Sequence, residues 1–385
     1  MKVLLYSKTF LPEPGGIQTA VFELARGLAA WRSEDSAAGS IDVIVVTQTP
    51  GRPEEDKSFP FRVIRHPGFH ELAGLLLNTD IIHLAGPTIL PLSLGLLLRK
   101  PVIVEHHGFQ AACPNGLLFF EPTQTPCPGH FMAARYGKCL ECNRVTLGSI
   151  KSLSMLLLTH VRRWLSNQIC MNIIPTNWLG TVLNLKRTRT VYHGISPSGA
   201  ATSVQSTIPI FAFQGRLVTT KGVRLLLEAA QQLRDEGYKF KLKVIGNGPE
   251  QESLEKLAAG LDGDVDFLGY APGDRLGELL ADVSTVVMPS LAGEVFGLVA
   301  AENMLRGKLV VVSDIGALCE VVGDTGLIFT TGSVSDLASR MRQVLDKPLL
   351  ASTMGSAARS RAMQVFSHES MIQGHVSVYQ EAILH

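Results

Sequence analysis

Ser284-Thr285-Val286-Val287-Met288-Pro289-Ser290 runs on to Glu294-Val295-Phe296-Gly297-Leu298-Val299-Ala300-Ala301-Glu302, and the reading of this stretch decides the fold. The first run is β-branched and apolar, as a parallel strand buried on both faces requires. Leu298 to Arg306 has helical composition and stops at Gly307. Glu294 therefore falls in a loop past the carboxyl end of a strand, and Glu302 falls about a turn into the next helix. In open α/β sheets that crevice is where ligands bind. A helix start at Gly297, Leu298 and Val299 offers free N–H groups and partial positive charge, which suit a phosphate. Two carboxylates beside such a phosphate can accept hydrogen bonds from sugar hydroxyls. Taken alone, the stretch also fits two solvated surface acids.

The rest of the chain repeats this alternation. Strands are expected over Lys2–Ser7, Asp42–Thr47, Phe61–His66, Asp80–Leu84, Val102–Gly108, Ile169–Ile174 and Thr190–Gly194. A second series is expected over Ile208–Gln214, Lys241–Ile245, Val265–Leu268, Thr285–Met288, Val310–Ser313 and Gly326–Phe329. Helical runs separate them, among them Thr19–Ala30 and Val223–Glu236. Such alternation predicts α/β architecture with doubly wound parallel sheets. The Ser-, Ala-, Gly- and Thr-rich stretch Ser196–Thr207 reads as an interdomain linker. It divides an amino-terminal Rossmann-like domain, 1–195, from a carboxyl-terminal one, 208–365. The tail, 366–385, reads as a helix that packs back on the amino-terminal domain.

Bulk properties agree. The 385 residues exceed one ordinary core. Apolar content of 46% and charged content of 18% describe a folded globular chain. A net charge of +1 gives no reason to expect nucleic acid as a partner. Met1-Lys2 leads straight into a strand, so no signal peptide is read. No run of uninterrupted apolar residues is long enough for a transmembrane helix. A cytoplasmic protein is expected, with the inner face of the membrane left open.

Two further stretches carry chemistry. Phe10-Leu11-Pro12-Glu13-Pro14-Gly15-Gly16-Ile17 is a turn-rich loop between strand and helix, and adjacent Gly15 and Gly16 let backbone approach a ligand closely. It is not the Gly-x-Gly-x-x-Gly fingerprint, so NAD is not proposed. Gly215-Arg216-Leu217-Val218-Thr219-Thr220-Lys221-Gly222 follows the first strand of the second series. Arg216 brings a planar fork of donors and Lys221 a compact point charge, a pair suited to a diphosphate.

Taken together, the sequence resembles the retaining nucleotide-sugar glycosyltransferases of the large family numbered four, the glycosyl transferases group 1, with the GT-B fold. The resemblance rests on Gly215, Arg216, Leu217, Lys221 and Gly222, followed by Glu294 and Glu302. Pro14-Gly15-Gly16, Asp80 to His83, His107-Gly108 and Gly246-Asn247-Gly248-Pro249 also match, so the pattern covers nearly the whole chain. It implies two Rossmann-like domains facing a cleft, with a nucleotide-diphosphate sugar on the second and the acceptor, a glycan, lipid-linked or small molecule, on the first. Arg216 and Lys221 are implied as diphosphate ligands, aided by Gly15, Gly16, Leu298 and Val299. Glu302 is implied at the ribose and Glu294 at the transferred hexose. The loops of Gly246, Asn247 and Gly248 and of Tyr270 are implied at the base, and His107 near the reacting carbon. Configuration at that carbon would be retained, with no metal or other cofactor in catalysis. An epimerase or phosphorylase on the same fold, or a non-catalytic nucleotide-sugar-binding module, is the alternative.

Two departures stand out. His193-Gly194 occupies the place where the family usually has Asn-Gly, and Glu105-His106 adds an acid and a histidine beside His107. His107 is chosen over His106 because a glycine follows it.

Cys113, Cys127, Cys139 and Cys142 lie in one insertion, 109–144, rich in Pro and Gly and poor in periodicity. The last pair is Cys-x-x-Cys, as in a metal-wrapping knuckle. A loop this long needs a staple or a function. A structural zinc, free thiols and paired thiols all remain open. Cys170 and Cys319 read as plain core residues. Beyond the insertion, Leu153, Leu156, Leu157, Val161 and Trp164 recur at helical spacing, with Lys151, Arg162 and Arg163 beside them. They read as a helix that packs between domains, with a seat on a membrane surface left open.

Overall fold

The computed structural model describes residues 1–13, 15–32, 39–196, 208–261 and 263–384. Pro14, and the expected linker from 197 to 207, lie outside these residues. The chain divides into two compact units. One comprises Met1–Pro122, Pro128–Gly194 and His368–His385, and the other Thr123–Cys127 and Ile195–Ser367. Thr123–Cys127, from within the cysteine-bearing insertion, thus groups with the second unit.

In the first unit, strands β1 (Lys2–Ser7), β2 (Asp42–Thr47), β3 (Arg62–Arg65), β4 (Ile81–Ala85) and β5 (Val102–Glu105) precede the insertion. The insertion holds two short strands, β6 (Phe119–Phe120) and β7 (Thr125–Pro126), and after it come β8 (Met171–Ile174) and β9 (Thr188–Thr190). Seven strands form a parallel sheet in the order β3-β2-β1-β4-β5-β8-β9. Its side chains alternate with period two between two apolar layers. Val3, Leu5, Val43, Val45, Ile81 and Ile103 pack with helices Gly16–Ala30 and His368–Ile383. Leu4, Tyr6, Ile44, Val46, Ile82 and Val104 face the opposite layer, with helices Phe69–Leu77 and Ile89–Leu97. Both faces being covered explains why these strands read as unbroken apolar runs. At Gly27 a Cβ would run into Ile372 and His368, so glycine lets the tail helix sit close against the first helix.

The second unit contains β10 (Ile210–Gln214), β11 (Lys241–Ile245), β12 (Val265–Gly269), β13 (Thr285–Met288), β14 (Leu309–Ser313) and β15 (Leu327–Phe329). They form a parallel sheet ordered β12-β11-β10-β13-β14-β15. The chain builds outward from β10 through β11 to β12, then returns to the other side of β10 with β13. Strand order reverses there, which is the topological switch point where open α/β sheets bind ligands.

Three expectations need correction. The strand expected over Thr190–Gly194 is Thr188–Thr190, and Val191 onward leaves the sheet. The insertion expected to be loop throughout becomes helical at Tyr136, so Cys139 and Cys142 lie about one turn apart on helix Tyr136–Ser166, which bends at Gly148 (φ 72°). The stripe expected to pack between domains is largely uncovered: Leu156 is buried, but Leu153, Leu157, Val161 and Trp164 are exposed, Trp164 at 63%. Cys170 is half-buried against the first core, and Cys319 is half-buried too. No helix among the described residues is long and apolar enough to cross a membrane.

Candidate active site

Within the second unit, loops at the carboxyl ends of β10, β11, β13 and β14 converge on the switch point. Glycines make the convergence possible. Gly246 (φ 141°) lies so close to the Gly215 carbonyl that a Cβ would collide with it, and a Cβ on Gly248 would enter the backbone of Leu217. Gly215 and Leu217 N–H donate to the carbonyls of Ile245 and Asn247, both at 3.0 Å. The loop of Arg216 and the loop of Gly246-Asn247-Gly248 are thus one bonded layer. Gly222 (φ 68°) presses on the Pro289 carbonyl after β13, and Leu291 N–H donates to Thr220 at 2.8 Å. Gly316 packs on the backbone of Glu294, whose carbonyl accepts from Ala317 N–H at 2.9 Å.

That framework brings Lys221 and Glu294 together, 73 positions apart in the chain. Lys221 Nζ donates to Glu294 Oε1, and Ser290 Oγ donates to the same oxygen at 2.8 Å. Glu294 is 18% exposed and Lys221 33%. Burial pushes the Glu294 carboxyl up. The Lys221 charge and the two hydrogen bonds outweigh it, so the group sits below the usual carboxylate range. Glu302 differs. Burial pushes its carboxyl above the ordinary value, against the weaker pull of Arg306, 3.9 Å away, and a hydrogen bond with Gln214. Asn303 Nδ2 donates to Gln214 Oε1 at 2.9 Å, which fixes that amide beside the acid.

Gly297 adopts φ 93° and starts helix Leu298–Leu305. Ala300 N–H reaches back to the Gly297 carbonyl at 2.9 Å, so the N–H groups of Leu298 and Val299 precede the helical ladder. Both residues are half-buried. The Phe296 ring is buried edge-on against Phe366, with centroids 5.3 Å apart. Arg216 and Asn247 are exposed, and Tyr270, after β12, is 58% exposed.

In the first unit, Gly15 caps helix Gly16–Ala30, and both glycines are exposed. His106 and His107 take different roles. His106 is buried and bonds through Nε2 to Asn172 Oδ1 at 2.8 Å, and burial lowers its imidazole to about 4. It is a neutral core histidine. His107 is nearly covered, its side chain 5% exposed, and its ring stacks on His193 with centroids 5.2 Å apart and planes 3° from parallel. Its Nε2 lies 3.5 Å from Glu105 Oε2. His193 Nδ1 lies 3.6 Å from Glu105 Oε1, and burial lowers that imidazole to about 3. Sequence reading singled out His107 but missed that Glu105 sits among several histidines. The available signal was that His83, Ile103 and Glu105 share one face of adjacent strands by period-two alternation.

Of the insertion's cysteines, Cys113, Cys139 and Cys142 are buried and Cys127 is half-buried. Asn115 Nδ2 and Glu121 N–H both donate to Cys142 Sγ at 3.4 Å. Cys142 Sγ in turn donates to the Phe119 carbonyl at 3.5 Å, as a thiol does.

Residues 200–361 match the model of the family described as Glycosyl transferases group 1. Among curated relatives, the 2-deoxystreptamine glucosyltransferase of Streptomyces kanamyceticus is 34% identical over 144 residues, 36% of this chain and 37% of the relative. The MMP alpha-(1->4)-mannosyltransferase of Mycolicibacterium hassiacum is 34% identical over 180 residues, 45% of this chain and 43% of the relative. The matched stretch is thus less than half the length of either. Solved structures align over the whole chain. Sucrose-phosphate synthase from Thermosynechococcus elongatus has a TM-score of 0.73 at 20% identity, covering 100% of this chain and 99% of that one. HepE of Anabaena, solved with UDP and glucose, has a TM-score of 0.72 at 18% identity, covering 98% of each. That likeness is one of fold, and the fold is GT-B.

Proposed function

We propose that the protein is a retaining glycosyltransferase that moves a hexose-type sugar from a nucleotide-diphosphate sugar to a glycan, lipid-linked or small-molecule acceptor. The carrying observation is the Lys221–Glu294 pair, held between the loops that follow β10 and β13 at the switch point. A cation placed there meets the diphosphate, and the carboxylate beside it meets the hydroxyls of the sugar next to that diphosphate. Relatives named as glucosyl- and mannosyltransferases, and a neighbour of the same fold solved with UDP and glucose, support this choice of donor.

Each residue then has a task. Arg216 and Lys221, with the N–H groups of Leu298 and Val299, stabilise charge on the departing diphosphate. Fixed cations there take the part a catalytic divalent metal would otherwise play. Glu302 accepts from the ribose hydroxyls and Glu294 from the sugar. As the bond from the anomeric carbon to the diphosphate oxygen breaks, an oxocarbenium-like centre forms. The acceptor oxygen bonds to that carbon on the face the diphosphate leaves, and its proton passes to the diphosphate. Gly15, Gly16 and His107 lie in the first unit, for which acceptor binding is proposed.

The exposed apolar stripe of Leu153, Leu157, Val161 and Trp164, with Lys151 and Arg162 beside it, supports peripheral contact with an anionic membrane surface. A place at the inner face of the cytoplasmic membrane would suit a lipid-linked acceptor.

A panel of UDP-, GDP- and ADP-sugars, scored by thermal shift and then by turnover with NMR of the product anomer, tests the reading. One donor class should raise the melting temperature and yield product of retained configuration only when acceptor is added. Conversion of the donor sugar without acceptor would mean an epimerase. Binding without turnover on any acceptor would mean a non-catalytic module.

A further inference from the structure

Behind His107, and independent of the donor site, lies a group of ligating side chains with no part in the proposed reaction. His83 on β4, Glu105 at the end of β5 and His375 on the tail helix are all buried. Their donor atoms lie within 4.8 Å of one another. His83 Nε2 is 3.2 Å from Glu105 Oε2, and His375 Nε2 is 3.5 Å from the same oxygen.

Both rings are held by their other nitrogen. His375 Nδ1 lies 2.8 Å from the Met371 carbonyl. A carbonyl only accepts, so Nδ1 carries a proton and Nε2 is the nitrogen left to ligate. That Nε2 is buried without a hydrogen-bond partner and faces a carboxylate oxygen. His83 Nδ1 lies 2.7 Å from Tyr379 OH, which sits one turn beyond His375. His83 Nε2 is within hydrogen-bond distance of Glu105 Oε2, whereas His375 Nε2 and that oxygen face each other as two acceptors in an apolar core, an arrangement that positive charge between them stabilises. A proton shared with a carboxylate would draw the heavy atoms to about 2.7–2.9 Å. The observed separations are longer. Two ligands of one tetrahedral ion, each about 2.0–2.1 Å from the metal, stand roughly 3.3–3.4 Å apart. Ligating histidines whose second nitrogen bonds a carbonyl or a hydroxyl are the usual outer arrangement of such sites.

We propose that His83, Glu105 and His375 bind a divalent transition-metal ion, with zinc the best fit to two imidazoles and one carboxylate. The ion clips the tail helix His368–Ile383 to strands β4 and β5. Tyr379 and the Met371 carbonyl orient the ligands.

Metal analysis of the purified full chain tests this. In a background of Cys139→Ser with Cys142→Ser, which removes the thiolate pair, the protein should retain about one equivalent of metal. Adding His375→Gln or Glu105→Gln should remove that equivalent, and Tyr379→Phe should weaken binding roughly 10–100-fold while keeping the ligands. Should the ligand variants fail to fold, cobalt uptake by the Cys139→Ser, Cys142→Ser background alone decides. Visible d–d bands without thiolate charge transfer support the site. A background protein that holds no metal and takes up neither zinc nor cobalt on refolding overturns it. Equal metal content in a folded His375→Gln variant also overturns it.

Discussion

Replacing Lys221 by Met removes the ammonium but keeps most of the stem, so it isolates the charge that the donor site is built around. Glu294 would be left with Ser290 Oγ as its one remaining donor at Oε1. Removing one partner of a fully buried pair costs about 3–5 kcal/mol, and an exposed pair contributes about 0–1 kcal/mol. With the two side chains 33% and 18% exposed, the case lies between, at about 1–2 kcal/mol of folding stability. Donor binding should suffer separately. A lost hydrogen bond to a charged phosphate is worth about 1.5–3 kcal/mol, or roughly 10–150-fold in Kd. Urea denaturation and isothermal titration with UDP and with the preferred sugar nucleotide separate the two effects. Adding Glu294→Gln to Lys221→Met should recover most of the stability, because no buried charge is then stranded, but none of the affinity. Glu294→Gln alone should weaken the sugar nucleotide more than UDP, since Glu294 is assigned to the sugar. Wild-type affinity in Lys221→Met, or no coupling between the two positions, would refute the assignment.

The two glutamates should respond to pH in opposite senses. Glu294 is depressed in the folded state, so its stabilising contribution is full above about 4.5, the value of an unperturbed glutamate, and is lost as pH falls through its lower folded value. Glu302 is raised, so its ionisation costs stability at neutral pH. Glu302→Gln should raise the urea midpoint at pH 7, with the gain closing below about 4.5, while donor affinity falls. Gly246→Ala should destabilise by about 2–4 kcal/mol and abolish donor binding, because the new methyl meets the Gly215 carbonyl at a positive φ; equilibrium unfolding measures it. Leu157→Glu with Trp164→Glu should reduce sedimentation with anionic vesicles and leave melting temperature and donor affinity unchanged, since both residues are exposed.

The two sheets were legible because strands covered on both faces must be apolar without interruption. Lys2–Ser7, Asp42–Thr47, Lys241–Ile245 and Thr285–Met288 were read with the bounds observed. Thr190–Gly194 was misplaced because an apolar pair, Val191-Tyr192, reads as strand when it is packing at a sheet's end. The insertion hid its helix behind Gly137 and Gly148, which break the period that a helix reader needs. Lys221 and Glu294 were assigned to one crevice from the loops that carry them and from the family resemblance, and their direct pairing follows from Gly222 and Gly316 pressing the loops together. The exposure of the Leu153 stripe was not legible, because spacing shows which residues share a face but not what covers it. Least legible was the group around Glu105. Its members sit at positions 83, 105, 107, 193 and 375, and only the return of the tail helix to the first unit brings the last of them in.

A crystal structure with UDP bound tests the central claim most directly. The account predicts the diphosphate within hydrogen-bonding reach of Lys221 Nζ, the Arg216 guanidinium and the N–H groups of Leu298 and Val299, with a ribose hydroxyl on Glu302. A diphosphate lodged elsewhere on the chain, with the Lys221–Glu294 pair undisturbed and solvent over Arg216, would contradict it.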